Sequence, residues 1–165
     1  MTQQKIYVAC LAAYNAGTLH GAWIDVTDED TMSQEIELML AASPEVGAEE
    51  CAIHDFEAPF PISEHDSLSA IIDMATAYED HGDAFLAALE LSSDVASAVE
   101  MVEDQFIGAY ERWADMAYVY VHEGLFGRVE ENLAHYLDYD RLGRDLRFDH
   151  HYEEINGRLY VFSLC

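Results

Sequence analysis

Basic residues are absent from most of this chain. After Lys5 the next lysine or arginine is Arg112, so positions 6–111 contain neither. Residues 1–111 carry 23 acids against Lys5, a local net charge of −22, whereas residues 112–165 carry 10 acids and six arginines. The first two thirds therefore cannot form internal lysine or arginine salt bridges except with the last third. So many unpaired like charges repel one another and lower stability.

The composition nevertheless supports a folded core. Of the 165 residues, 51% are hydrophobic and 12% are aromatic, which argues against a disordered chain or a disulfide-held miniprotein. The formal net charge of −26 argues against a protein that itself binds nucleic acid or an anionic membrane, because both require a basic face.

The sequence gives no sign of export. No basic segment followed by an apolar core opens the chain, and no apolar run approaches about 18 residues, so we expect neither a signal peptide nor a transmembrane helix. Cys10, Cys51 and Cys165 lack CxxC spacing. This pattern favours reduced, structural thiols in a cytoplasmic protein.

Residues 1–61 are predicted to form a small α+β unit with a three-stranded sheet. Strands are expected over segments 6–11, 19–26 and 50–57, where apolar and polar residues alternate or β-formers cluster. Asp28 is expected to cap a helix whose apolar residues follow at helical spacing.

The rest of the chain is predicted to form two further units. Residues 62–104 are expected to be an acidic helical unit, and residues 105–165 a mixed unit. In the mixed unit we expect a strand over 106–110, helices after it, and a β-hairpin around the Asn156-Gly157 dipeptide. The predicted fold class is thus α+β, with three small units in an elongated chain.

Candidate catalytic groups are sparse. His20 and the pair His54-Asp55 fall in predicted strands, where an acid–base pair is one interpretation. Successive strand residues point to opposite faces, so His54 and Asp55 are not expected to converge. The sequence has no GxSxG, HExxH, P-loop or GxGxxG pattern, and Lys5 is its only lysine. We therefore expect no enzymatic activity and no cofactor.

A metal site is not expected either. His150, His151, Glu153 and Glu154 are of the types that bind Zn²⁺, but an exposed polar stretch entering a hairpin accounts for them more simply. Residues 28–30 lack the alternating ligands, glycine and distal glutamate of a calcium loop. Acids in the first turn of a helix explain that segment.

The acidic charge is the main functional signal, and three interpretations are open. The net charge of −26 is far larger in magnitude than the value of about 2–8 that keeps a small domain soluble. It can be an adaptation to high salt, the binding surface of an acidic adaptor, or an imitation of nucleic acid. B-DNA carries roughly two charges per base pair, so −26 matches about 13 base pairs.

Three sequence blocks resemble the ArdA family of antirestriction proteins. Residues 14–23 (YNAGTLHGAW) fit the family pattern YNxGxLxGxW, and residues 52–60 (AIHDFEAPF) fit AIHD(F/Y)ExPF. Residues 136–146 (YLDYDRLGRDL) fit YxDYxxxGRDL. Together the blocks span nearly the whole chain in the family's order, whereas the middle third is similar only in charge and helicity.

The resemblance implies a fold and a function. ArdA proteins are DNA mimics, carried by mobile elements, that bind and inhibit type I restriction–modification enzymes. They are elongated dimers of three small units whose acidic side chains imitate bent B-DNA and occupy the enzyme's DNA-binding groove. They are not catalysts and need no cofactor. The implied partner is the methyltransferase and specificity core of such an enzyme, in the cytoplasm.

The three sequence blocks are themselves expected to have structural roles. Gly17 and Gly21 suit a tight turn and a close strand approach, and Trp23 and Phe60 are expected to anchor the core. The functional surface is therefore expected on the acids instead. The acids predicted to form it are Asp25, Asp28, Glu29, Asp30, Glu35, Glu37, Glu64, Asp66, Asp73, Glu79, Asp80, Asp83, Glu90, Asp94, Glu100, Glu103, Asp104, Glu111 and Asp115.

The segment 106–110 is apolar in an acidic chain. We expect Phe106, Ile107, Ala109 and Tyr110 to contact a second copy and form a homodimer.

Overall fold

The computed structural model describes residues 4–164 and has the predicted α+β fold. Within those residues it contains eight helices and six strands. In chain order the elements are β1 (Lys5–Cys10), α1 (Leu11–Asn15), β2 (Gly21–Asp25), α2 (Glu29–Ala41), β3 (Cys51–Glu57), α3 (Leu68–His81), α4 (Asp83–Leu91), α5 (Val95–Gln105), β4 (Phe106–Tyr110), α6 (Trp113–His122), α7 (Glu131–Ala134), α8 (Tyr139–Leu146), β5 (His150–Ile155) and β6 (Arg158–Ser163).

The first sheet is antiparallel and has the strand order β2-β1-β3. Ile6, Val8 and Ile24 are each at most 1% exposed, as alternation predicts, but the alternation ends after Val8 because Ala9 and Cys10 are both buried. Helix α2 packs on β1 and β2 and contributes the fully buried Met32. The three predicted strands and their helix are thus confirmed as one sheet with a covering helix.

Polar contacts fix both ends of α2. At its start the Asp28 carboxylate accepts a hydrogen bond from the Thr31 amide at 2.9 Å, so the predicted N-cap is confirmed. Near its end the carbonyl of Met39 accepts a hydrogen bond from Nε2 of His20 at 2.7 Å. His20, from the first sequence block, therefore ties the segment before β2 to the helix.

The two glycines of the first block have the predicted structural roles. Gly17 has a φ of +84°, a conformation that favours glycine, and it follows the helical turn α1. A Cβ on Gly21 would lie 2.5 Å from the carbonyl oxygen of Val8, so only glycine permits that strand approach. The chain leaves β1 earlier than expected, because α1 begins at Leu11 and includes Tyr14 and Asn15 of the predicted turn.

Only one of the two expected aromatic anchors is buried. Phe60 is 1% exposed and lies edge-on to Tyr78 of α3, with ring centroids 6.4 Å apart, which confirms it as a core residue. Trp23 is 46% exposed, so its prediction as a core anchor is wrong. Its neighbour Ile24 points to the face that α2 covers, and Trp23 therefore lies on the opposite face, 5.5 Å from the ring of Tyr7.

The second sheet is antiparallel with the order β4-β6-β5, and helices cover both faces of its central strand. Leu159 and Val161 of β6 join the core formed with α6 and α8. The intervening Tyr160 faces the other way, and its hydroxyl donates to Asp83 of α4 at 3.5 Å. Both faces of β6 are buried as a result.

The glycine of the third sequence block permits close packing of α6 and α8. A Cβ on Gly143 would lie 2.6 Å from the carbonyl carbon of Trp113, a backbone atom that cannot move aside easily. Met116, Ala117 and Leu146 fill the contact beside it. The predicted hairpin also forms, with positive φ at both residues of its Asn-Gly turn.

Residues 1–79 and 80–165 form two compact units. In the second, α4 and α5 pack with the β4-β6-β5 sheet. The predicted division into three units, 1–61, 62–104 and 105–165, stays a prediction. In the described part of the chain, every helix is too short or too polar to cross a bilayer.

The cap of α5 generates a test of stability. Asp94→Ala removes the acceptor that the Ser97 amide binds at 2.9 Å, and we expect the thermal midpoint to fall by a few degrees. Asp104→Ala removes the same charge from the last turn, where an acid opposes the helix dipole, so its midpoint should be unchanged or higher. Circular dichroism melts would show this difference.

The cap of α5 also predicts how the stability difference between the wild type and Asp94→Ala depends on pH. Hydrogen bonds from the Ser97 amide and from Ser93 lower the pKa of Asp94 below that of an ordinary aspartate. Its contribution to stability is therefore present at neutral pH and is lost as the pH falls through the folded-state pKa. The thermal midpoints of the wild type and Asp94→Ala should therefore converge as the pH falls through that pKa. A difference in midpoint that does not change with pH would contradict capping by the carboxylate.

Candidate functional site

The predicted surface acids lie almost entirely at the surface. All are exposed except Asp25, Asp66, Asp83 and Asp115, which are partly exposed. The predicted acids from Asp25 to Glu79 belong to the first unit, and those from Asp80 to Asp115 belong to the second. Each unit therefore presents its own set of carboxylates to solvent.

Two of the partly exposed acids pair with the chain's few cations. Asp25 lies 3.8 Å from Nζ of Lys5 across the β1–β2 pair. Asp115 accepts two hydrogen bonds from Arg112, the shorter at 2.8 Å, and this contact raises the pKa of the Arg112 guanidinium. Their charge is thus partly neutralised within the fold.

The other two partly exposed acids bind neutral donors. Asp66 accepts a hydrogen bond from the Ser63 amide at 2.7 Å, which orders the turn before α3. Asp83 accepts one from the side-chain amide of Asn156 at 3.1 Å and one from the Tyr160 hydroxyl. Asp83 therefore fastens α4 to the β5–β6 hairpin rather than serving only as surface charge.

Two fully exposed acids also have structural roles. A hydrogen bond from the Thr31 amide, with a second from its hydroxyl, lowers the pKa of Asp28. Asp94 is held in the same way at the start of α5, by the Ser97 amide and hydroxyl. Because their pKa values are lowered, both carboxylates stay ionised to a lower pH than an ordinary aspartate. They therefore add charge to the surface and also cap helices.

The remaining predicted acids have no internal partner. Their side chains make no hydrogen bond or ion pair with another residue of the described range 4–164. They are Glu29, Asp30, Glu35, Glu37, Glu64, Asp73, Glu79, Asp80, Glu90, Glu100, Glu103, Asp104 and Glu111. These carboxylates present negative charge and hydrogen-bond acceptors to solvent.

The densest run of these free acids is on α5. Glu100, Glu103 and Asp104 have i, i+3 and i+4 spacing, so they share one face of the helix, while Ala98 and Met101 are buried on the other. Like charges at this spacing destabilise a helix. The helix forms in spite of this repulsion.

The four predicted dimer residues lie on an edge strand. Within residues 4–164, β4 pairs only with β6, so its second edge is not paired. Ile107 and Tyr110 pack against the core of their own unit. Phe106 stays 37% exposed beside Phe162, and Ala109 is partly exposed.

The His54-Asp55 pair occupies an unexpected geometry. A register shift in the β1–β3 pairing lies opposite Tyr7 and leaves His54 without a partner residue on β1. His54 and Asp55 are among the residues that line a shallow cavity of about 450 Å³. The Asp55 carboxylate accepts a hydrogen bond from the Phe56 amide at 2.8 Å, and that His54 and Asp55 do not converge stays a prediction. The described lining includes no serine, threonine, cysteine or lysine, and His54 contacts the edge of the Tyr14 ring.

His150, considered above as a metal ligand, is engaged inside the fold. Its Nδ1 donates to the carbonyl of Leu146 at 2.7 Å, so its Nε2 accepts from the Tyr120 hydroxyl at 3.0 Å. Among residues 4–164 no group of three or more potential ligands is placed to hold a metal ion.

Sequence reasoning missed a set of exposed apolar side chains in the second unit. Leu125, Phe126, Leu133, Tyr136 and Phe148 are each at least half exposed. Leu125 and Phe126 follow α6, Leu133 and Tyr136 lie in or just after α7, and Phe148 follows α8. Only the first two have a sequence signal, which is the pair Gly124 and Gly127 after α6.

One protein-family model matches the chain. It is the model of the antirestriction protein (ArdA) family, and the match covers residues 6–160, which include all three sequence blocks. A search of curated proteins found no match.

The free carboxylates lead to a prediction about salt. Raising the salt concentration from about 0.1 M to about 1 M shortens the Debye length from about 10 Å to about 3 Å and screens their repulsion. We expect the protein to be folded at the lower salt and its thermal midpoint to rise by several degrees at the higher. A chain unfolded at 0.1 M would instead indicate adaptation to high salt.

Proposed function

Because the chain belongs to the ArdA family of antirestriction proteins, we propose that it is a DNA mimic that occupies the DNA-binding groove of type I restriction–modification enzymes. Family membership supports an antirestriction function and implies interaction with restriction–modification enzymes in general. The family is one of inhibitors rather than enzymes.

The observation that carries the proposal is the set of carboxylates without internal partners. A groove that binds duplex DNA is lined with arginine and lysine, which form charge-assisted hydrogen bonds with phosphate and carboxylate oxygens alike. Helices hold the acids at fixed spacing, so less side-chain and backbone entropy is lost on binding than with a flexible acidic tail. The total charge corresponds to about 13 base pairs of duplex.

The proposed partner is the methyltransferase and specificity core of the enzyme, because that part must hold the recognition duplex. The protein itself would contribute no catalytic group, metal or cofactor, and it would act in the cytoplasm of a cell that has received a mobile element. Binding would be distributed over many weak contacts, since each exposed ion pair contributes little.

A competition assay tests the proposal. The protein is titrated, near physiological salt, into a type I methyltransferase core bound to a fluorescent duplex with its recognition site. We expect displacement near stoichiometric protein, and weaker displacement as salt rises. Binding without displacement of the duplex would favour an acidic adaptor that contacts a different surface.

A charge-reversal variant locates the surface. Glu90, Glu100, Glu103, Asp104 and Glu111 are replaced together by lysine, and the half-maximal concentration should rise roughly 10- to 100-fold.

The matched control reverses five exposed acids outside the predicted surface, namely Glu123, Glu131, Asp145, Asp149 and Glu154. The control undergoes the same change in net charge and should displace duplex nearly as well as the wild type. Equal losses in both variants would show that net charge acts without a defined surface, and unchanged displacement in both would reject this site.

We also propose a homodimer formed along the free edge of β4. An unpaired edge strand offers backbone donors and acceptors to a second copy, and antiparallel pairing about a two-fold axis closes the assembly. The inward packing of Ile107 and Tyr110 leaves Phe106 as the side chain best placed to support this contact. A dimer would also lengthen the negatively charged surface offered to the enzyme.

Phe106→Asp should therefore reduce the molecular mass measured by light scattering from that of a dimer to that of a monomer. Phe148→Asp, at a site that is 82% exposed in the same unit, is the control and should remain dimeric. Circular dichroism confirms that both variants are folded. Dissociation by Phe148→Asp alone would place the interface among the exposed apolar residues after α6.

A further inference from the structure

Two cysteines face each other across neighbouring strands of the first unit. Cys10, the last residue of β1, is the register partner of Cys51, the first residue of β3. Cross-strand partners project their side chains to the same face of a sheet. The two thiols are therefore neighbours in space although 41 positions separate them in sequence.

The hydrogen-bond pattern shows what kind of pair this is. The amide of Leu11 donates to the carbonyl of Glu50 at 3.0 Å, so Leu11 and Glu50 are a hydrogen-bonded pair. The amide of Cys10 instead donates to the carbonyl of His20, on the side of β2, at 2.8 Å. Cys10 and Cys51 are thus a non-hydrogen-bonded pair, the kind whose Cα atoms approach to about 4.5 Å.

That separation lies within the range of about 4.4–6.8 Å that a disulfide spans between Cα atoms. We propose that Cys10 and Cys51 are a redox-active dithiol that forms an intrachain disulfide when the protein meets a peroxide. The proposal goes beyond the antirestriction function and does not rest on it.

The two thiols differ in access, which sets the order of the reaction. Cys51 is partly exposed, whereas Cys10 is fully buried. Peroxide therefore meets Cys51 first, although burial raises the pKa of its thiol and keeps the thiolate fraction small. The Cys51 thiolate attacks one peroxide oxygen and the O–O bond breaks. The hydroxide that leaves takes up the proton that the Cys51 thiol released, so the products are a sulfenic acid and water. Sulfur loses two electrons in this step, and peroxide gains them.

Cys10 then completes the disulfide. Its sulfur attacks the sulfur of the Cys51 sulfenic acid, the S–S bond forms, the S–O bond breaks, and a second water leaves with the Cys10 proton. The Ser43 hydroxyl lies 3.4 Å from Cys10 Sγ, and this contact, with the Ala13 amide, lowers the pKa of the Cys10 thiol. The buried thiol is therefore the better prepared of the two to act as a resolving nucleophile.

The crosslink would close the segment that contains β2 and α2. It would therefore join the end of the central strand β1 to the start of the edge strand β3. A disulfide that closes a loop of this length stabilises a fold by restricting the unfolded chain. We expect the oxidised protein to unfold several degrees higher than the reduced protein.

The experiment treats the full, reduced, folded chain with hydrogen peroxide, then denatures it and blocks free thiols with N-ethylmaleimide. Mass spectrometry should show one maleimide adduct instead of three, together with a peptide that joins Cys10 to Cys51. Cys165→Ser is the matched control, because it removes the third cysteine and should oxidise in the same way. Non-reducing electrophoresis distinguishes this product from chains linked through Cys165.

Two further variants test the order of events. Cys10→Ser, which lacks the resolving thiol, should accumulate a sulfenic acid at Cys51 that a 1,3-dione reagent captures. Cys51→Ser should leave Cys10 unmodified, since peroxide does not reach a buried thiol. Circular dichroism establishes that each variant is folded before treatment.

Three adducts on the treated wild type would overturn the proposal. Oxidation of Cys51 to sulfinic acid while Cys10 still reacts with maleimide would also overturn it. The two cysteines would then be neighbours that do not react with each other. Capture of a sulfenic acid on Cys10 in Cys51→Ser would overturn the assigned order.

Discussion

A shortage of cations dominates the physics of this fold. No lysine or arginine lies between positions 6 and 111, yet that stretch carries 23 acids. A carboxylate there must be hydrated or must be held by neutral donors, because burying an unpaired charge is far too costly. The fold meets this condition: among residues 4–164 no acid is buried, and the one buried polar side chain is that of Gln4.

Neutral donors take the place of salt bridges at the positions where order is needed. Backbone amides at the starts of α2 and α5 bind Asp28 and Asp94, and the hairpin amide of Asn156 binds Asp83. Such bonds leave the net charge unchanged. The protein is thereby stabilised without losing the negative surface that the proposed function requires, and the repulsion among the other acids persists as a cost.

The comparison between sequence and structure separates local from nonlocal causes. Asp28 could be identified as a cap, and Asn156-Gly157 as a turn, because both depend on a few neighbouring residues. The bulge at His54 could not be predicted, since it arises from pairing with β1, more than 40 positions away. The prediction that Trp23 anchors the core is wrong for a related reason. Alternation shows that Trp23 and Ile24 point to opposite faces of the sheet, but it does not show which face a helix covers.

The sequence by itself determined the charge, the α+β class, the helix caps and the family to which the chain belongs, because each follows from composition or from short motifs. The tertiary structure decided which acids remain without partners and which, such as Asp83, fasten one element to another. It also decided that Cys10 and Cys51 are neighbours. Those properties depend on strand register and packing, which bring together residues far apart in sequence and leave no trace in any single segment.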